Sequence, residues 1–154
     1  MLDTPQITLT ADTPTAVIRL TIPREEIRNV MGPGLRELMA TVAAQGIVPT
    51  GRWFSHHLRT DPDIFDFEIG VPVGSAVAAV GRVEPGKWSA TKVARTVYLG
   101  GYEGLGEAWR EFNDWIAAQG HRTGPDFWEC YVIGPESSPD PSAWRTELTR
   151  RLMA

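Results

Sequence analysis

Cysteine is nearly absent: Cys130 is the only one in 154 residues. A lone thiol excludes an internal disulfide and cannot by itself build a metal site, so a reducing cytoplasm is the expected setting. Histidine is scarce too. Two of the three, His56 and His57, are adjacent, so on a strand they point to opposite faces and cannot chelate one metal together. No apolar run approaches the roughly 20 residues of a membrane span, and the N-terminus MLDTPQITLT lacks the basic and apolar regions of a secretion signal. A net charge of −4 is too weak a field to favour nucleic acid or a membrane surface. No metal, cofactor, direct nucleic-acid contact or membrane is therefore expected. No stretch has the composition of a disordered linker, and the length suits a single domain spanning residues 1–154.

What is present begins with an internal repeat. Ala43-Ala44-Gln45-Gly46 recurs as Ala117-Ala118-Gln119-Gly120, 74 residues on. Ahead of the first copy, Met31, Leu35, Leu38 and Val42 are spaced 4, 3, 4. The same shift reaches Leu105, Trp109, Phe112 and Ile116. Both sets are the apolar stripe of an amphipathic helix that ends at glycine. Trp53-Phe54 and Phe127-Trp128 each begin seven residues past that glycine, and Val17–Ile22 and Val93–Tyr98 are strand-like segments with an arginine, Arg19 or Arg95, at the same place. This is a duplication.

Each half reads as strand, helix, strand, strand: about 15–22, 33–45, 52–58 and 65–73, then 90–98, 102–119, 127–133 and 144–152. Pro33 suits a first helical turn, where its missing N–H is no loss, and residues 24–31 form a separate turn before it. Residues 7–10 make a short leading strand, 76–83 a further one, and Glu84-Pro85-Gly86-Lys87 the turn between halves. The expected fold class is α+β: two βαββ units (about 5–75 and 88–154) in pseudo-two-fold relation, with antiparallel sheets, two main helices and a central groove.

The stretch from Phe127 to Pro135 is where function concentrates. It is an aromatic, β-branched strand closed by Gly134-Pro135. Alternation puts Phe127, Glu129 and Tyr131 on one face. A carboxylate between two aromatics is costly to desolvate unless a cation or hydrogen-bond donor meets it. The repeat pairs Glu129 with Ser55 and Tyr131 with His57. The groove would then present Trp53, Ser55 and His57 on one side and Phe127, Glu129 and Tyr131 on the other.

With these motifs in view, the chain resembles the GyrI-like small-molecule-binding domain, the effector domain of bacterial multidrug and AraC-type regulators. The segment Arg95-Thr96-Val97-Tyr98-Leu99-Gly100-Gly101-Tyr102-Glu103-Gly104-Leu105 is similar to the family's strand, turn and "G-x-Y-x-x-L" helix start. Trp128-Glu129-Cys130-Tyr131-Val132-Ile133-Gly134-Pro135 resembles its "E-x-Y-x-x-x-P". Trp144-Arg145-Thr146-Glu147-Leu148 falls where the family has its last strand. The resemblance implies that Glu129 lies in a pocket for cationic or polarised aromatic ligands, with Tyr131 and Tyr102 beside it. Gly134 stands where the family usually has Asp. The implied role is a stand-alone cytoplasmic protein that senses or sequesters hydrophobic, often cationic, aromatic compounds. The family also implies two alternatives. One is hydrolysis of strained cyclopropane-bearing natural products, with Glu129 as base and Tyr131 or Tyr102 as donor. The other is a protein partner such as DNA gyrase or a transcription regulator.

The remaining candidates are weaker. Heme-binding proteins of SOUL-like fold share the family's architecture and would make His57 a ligand. Phe65, Phe67, Ile69 and Val71 take the core face of their strand, which turns Glu68 toward groove or solvent. Glu147 is its counterpart in the repeat. Cys130 reads as a buried structural thiol, Trp109, Phe112 and Ile116 as core, and Arg19 and Arg95 as partners for carboxylates such as Glu68 or Glu147. The glycines at 100, 101, 104 and 106 fit neither phosphate-loop signature.

Overall fold

The computed structural model describes residues 1–153; Ala154, the last residue of the second repeat, lies outside them. The elements are β1 (Gln6–Leu9), β2 (Thr13–Pro23), α1 (Ile27–Ala44), β3 (Phe54–Arg59), β4 (Ile64–Pro72), β5 (Val83–Trp88), β6 (Lys92–Leu99), α2 (Leu105–Ala118), β7 (Thr123–Ile133) and β8 (Arg145–Leu152). The class is α+β, all strand pairings within each unit being antiparallel. Two compact units result: Ala11–Ala90, and Met1–Thr10 together with the chain from Thr91 onward.

In the first of these, the strand order is β3-β4-β2-β5, and α1 covers one face. In the other it is β1-β6-β8-β7, with α2 on one face. The leading strand expected with the first repeat pairs instead with β6. Its equivalent ahead of the second repeat, β5, pairs with β2.

The repeated Ala-Ala-Gln-Gly is a helix stop. Gly46 (φ 69°) and Gly120 (φ 80°) are left-handed, a conformation that costs glycine little. Ile47 N–H donates to Val42 O and His121 N–H to Ile116 O, while the glycine N–H groups donate to Ala43 O and Ala117 O. That is the same two-bond closure at both ends. The buried stripe of α1 is Gly34, Leu38 and Val42, and that of α2 is Ala108, Phe112 and Ile116, each pair 74 residues apart. Leu35 and Trp109 sit at the edge of the stripe, partly exposed.

Two local expectations change. The first helix does not begin at Pro33; α1 runs from Ile27 with Pro33 inside it. Ile27, Val30 and Met31 pack against the core and extend the apolar stripe backward. Their burial outweighs the single backbone bond that proline removes. Of residues 76–83 only Val83 is in a strand, as the start of β5, with Val80 in an isolated bridge to it, and Glu84-Pro85-Gly86-Lys87 is not a turn but the middle of β5. β5 is an edge strand, where proline's lost N–H need not break a ladder. Gly86 fits there because a Cβ would lie 2.7 Å from Thr15 Oγ1.

Gly70 in β4 is the tightest sheet position. A Cβ there would lie 2.6 Å from Phe54 Cζ, 2.7 Å from Phe54 Cε2 and 3.1 Å from Val17 Cγ1. Gly70→Ala is expected to lower stability by about 2 kcal/mol, the usual range for overpacking. Urea unfolding checks it, and an unchanged midpoint would refute the packing assigned to Phe54.

Candidate functional site

β7 presents Phe127, Glu129 and Tyr131 toward α2, as strand alternation requires. Opposite them across β8 stand Arg150, Leu148 and Thr146, of which Leu148 belongs to the core under α2. From α2, Trp109 Nε1–H donates to Glu129 Oε2 at 2.7 Å. From the strand, Tyr131 O–H donates to Glu129 Oε1 at 2.9 Å. Each carboxylate oxygen thus holds one donor. The Trp109 ring meets Phe127 edge-on, centroids 4.7 Å apart, and lies 5.9 Å from Phe112.

Glu129 is neither fully enclosed nor open. Desolvation by its aromatic surroundings raises the carboxyl pKa above the ordinary range, and outweighs the opposing pull of the Trp109 and Tyr131 hydrogen bonds. The site stores an acid whose charge is only partly compensated.

Tyr102 sits in the short helical turn Tyr102–Gly104 that leads into α2. Its ring is edge-on to Tyr131 at 6.0 Å and tilted against Trp144 at 4.8 Å. Burial, then the nearby Glu136 and Glu129 charges, pushes its hydroxyl up to about 12, so it remains a donor at neutral pH. A Cβ on Gly134 would point 2.8 Å from Tyr102 Oη. The missing side chain at Gly134 leaves room for this hydroxyl.

The residues expected on the other wall divide. Ser55 and His57 come together on the α1 face, with His57 Nε2 3.1 Å from Ser55 Oγ. The imidazole stacks on Phe67 at 5.3 Å and meets Phe65 edge-on at 5.5 Å. Burial, then His56 and Arg24, lowers its pKa to about 4, so it is neutral at pH 7. Trp53 packs against the same core. Glu68 does not join them: it lies on the opposite face of β4, 3.2 Å from His56 Nδ1.

Arg19 and Arg95 do pair with carboxylates, Arg95 with Glu147 at 3.5 Å. The partner of Arg19 is Asp66 at 2.9 Å rather than Glu68. Strand register explains this. Thr21 pairs with Asp66 as Val97 pairs with Glu147, so Asp66 is the true counterpart of Glu147. The Cys130 thiol is pushed up to about 12, first by burial and then by Glu147, which makes it unreactive.

Two members of the site were not foreseen as such. Trp109 reads as a core residue on its stripe, and Trp144 as the start of the last strand. The repeat carried a usable signal for Trp109. Its equivalent is Leu35, and the equivalent of Glu129 is Ser55, so the indole donor and the acid appear together in one half. A surface recess of about 570 Å³ lies elsewhere, along Glu107, Arg110, Glu111 and Asp114 of α2. Met1, Tyr98, Gly104 and Ala108 complete its lining. Among the described residues no three His, Cys, Asp or Glu side chains converge on a metal position, and no helix is long and apolar enough to cross a membrane.

No curated protein matches the sequence. Solved structures match its fold. The EcmrR C-terminal domain superposes with TM-score 0.86 at 17% identity, covering 97% of this chain and 97% of that one. Full EcmrR in its DNA complex gives 0.85 at 17% identity, and there the chain spans 97% of its own length but 57% of the neighbour's. SAV2435 bound to tetraphenylphosphonium gives 0.67 at 12% identity, with coverage of 99% and 95%. A hydrolase from Listeria innocua gives 0.68 at 10%, with coverage of 97% and 91%. At such identities these likenesses establish the fold alone. The family pattern named "GyrI-like small molecule binding domain" runs from residue 4 to residue 152, and the chain belongs to that family.

Proposed function

We propose that this protein senses or sequesters hydrophobic aromatic compounds that carry a positive charge, and that Glu129 is their counter-ion. The observation that carries this reading is the hydrogen-bonded carboxylate of Glu129 set among Trp109, Phe127 and Tyr131. Without a cation, desolvation disfavours its charge; with one, the same low-dielectric surroundings strengthen the pairing. The aromatic rings add stacking and cation–π attraction. The tetraphenylphosphonium bound by SAV2435 is a compound of this class, which supports carrying the idea to this chain. EcmrR, matched over 57% of its length and found on DNA, supports a role on the effector side of a transcription regulator.

A planar cationic dye such as ethidium, titrated with tryptophan quenching as readout, tests this. Glu129→Gln can still accept from Trp109 and donate to Tyr131, so it removes the charge and keeps the shape. Binding is expected to weaken about tenfold or more, in line with losing a charge-assisted contact. Unchanged affinity would remove Glu129 from the mechanism.

The pH dependence has a definite sign. Because the native pKa of Glu129 is raised, the protonated form is favoured in the fold. The stability this contributes is present at low pH and is lost as pH rises through the raised value. A permanent cation needs the carboxylate, so its affinity should fall as pH drops through that value, by up to about tenfold per unit. The Glu129→Gln variant should show a flat profile. A wild-type profile equally flat from pH 7 to pH 4 would contradict the raised pKa.

A second reading is favoured by the same acid and by Tyr102, whose hydroxyl bonds to none of the described residues. Glu129 would take a proton from water as that water opens a strained ring, while Tyr102 donates to the oxygen that gains charge. The hydrolase named among the fold's neighbours supports testing it. Incubation with a cyclopropane-bearing alkylator, followed by mass spectrometry, is expected to show addition of one water that disappears in Glu129→Gln. Recovery of intact compound would leave binding alone.

A further inference from the structure

Trp144, Tyr102 and Tyr131 form a run of rings that leads from the loop after β7 to Glu129. The centroid of Tyr102 lies 4.8 Å from that of Trp144 and 6.0 Å from that of Tyr131, and Tyr131 O–H donates to Glu129. At the outer end of this run stands a second acid, Glu136. Loop acids are ordinarily solvated and contribute little to any one contact. Two observations set this one apart.

The first is position. A Cβ on Gly134 would lie 2.8 Å from Tyr102 Oη, and 2.9 and 3.1 Å from the two carboxylate oxygens of Glu136. Glu136 and the tyrosine hydroxyl therefore face each other across the space that this side chain would fill. The loop holds them there. The N–H groups of Ser137 and Ser138 both donate to Gly134 O, at 2.9 and 3.0 Å. Trp144 Nε1–H donates to Ser138 O at 2.9 Å. The turn that carries Glu136 is thus closed on Gly134 and tied to the ring that packs on Tyr102.

The second is electrostatic. After burial, the charge of Glu136 and then that of Glu129 raise the Tyr102 hydroxyl, which puts this phenol in the field of both acids. Other acids of the same unit have a basic neighbour: Glu107 has Arg110 and Glu147 has Arg95. Glu136 is exposed and forms neither an ion pair nor a hydrogen bond with any described residue. Two like charges thus flank one aromatic surface, and among the described residues no cation stands between them.

From this we infer that Glu136 is an outer cation-binding group of the Glu129 site, and that the preferred ligand is an aromatic dication. One cationic centre meets Glu129. The aromatic body lies along Tyr102 and Trp144, both partly exposed, and the second centre meets Glu136 at the solvent side. A monocation leaves Glu136 hydrated and unpaired. The inference deepens the cation-binding reading of Glu129 and rests on it.

Ethidium and propidium are a matched pair for the test. They share one phenanthridinium chromophore, and propidium adds a quaternary ammonium on a propyl chain. Fluorescence polarisation of each dye on the intact protein, at neutral pH and constant ionic strength, is the readout. Propidium is expected to bind about fivefold more tightly, the upper end for one exposed charge pair. Glu136→Gln should abolish that preference and hold ethidium affinity within about twofold. Glu103→Gln removes an exposed acid from the turn that carries Tyr102 and should leave the preference intact. Propidium binding no more tightly than ethidium would overturn the inference. So would a preference that survives Glu136→Gln, or one that Glu103→Gln removes as fully, since the gain would then come from diffuse charge. Ethidium affinity lost together with propidium affinity in Glu136→Gln would assign this acid to the first cation and overturn it too. Ethidium binding that ignores Glu129→Gln, by contrast, would defeat the cation reading itself.

Discussion

Everything proposed for this protein depends on one desolvated carboxylate. Bare oxygens on Glu129 would be costly among Phe127, Tyr131 and Trp109, because a partly enclosed carboxylate loses hydration that apolar packing does not replace. Trp109 and Tyr131 each give it one hydrogen. These bonds hold the charge in reserve without neutralising it. The carboxyl is left with a raised pKa.

The scaffold makes that arrangement reproducible. Trp109 comes from α2 and Tyr131 from β7, so the two donors are positioned independently. α2 is located by Ala108, Phe112 and Ile116 in the core and closed by Gly120. β7 is held by its register with β8. Tyr102 is placed by the short turn that opens α2 and by the missing side chain at Gly134. None of these anchors lies on a long loop, which keeps the donors near a fixed point.

The two repeats share a frame and differ in electrostatics. Arg19–Asp66 and Arg95–Glu147 are equivalent ion pairs on the sheet faces away from the helices. On the helix faces the halves diverge: His57 is held neutral by burial, His56 and Arg24, while desolvation biases Glu129 toward its protonated form. Duplication supplied one packing solution twice, and the divergence of Ser55 from Glu129 and of Leu35 from Trp109 placed an acid and its donor in one half only.

How much of this was written along the chain can be judged residue by residue. The helix stripes, their glycine stops and the shared face of Phe127, Glu129 and Tyr131 follow from periodicity, because a 3.6-residue or two-residue repeat is a local property of the backbone. The edge strand β5 was not legible: Pro85 and Gly86 look like a turn until an edge position and the nearby Thr15 side chain are known. Nor was the start of α1, where Pro33 misleads unless the burial of Ile27, Val30 and Met31 is counted. Sequence alone marked the acid and the family. Only tertiary structure could bring Trp109 to Glu129 across 20 residues of chain, set Tyr102 against Tyr131 and turn Glu68 to the opposite face. Those outcomes are decided by which elements pack together and in what register, and such long-range choices leave no period in the sequence.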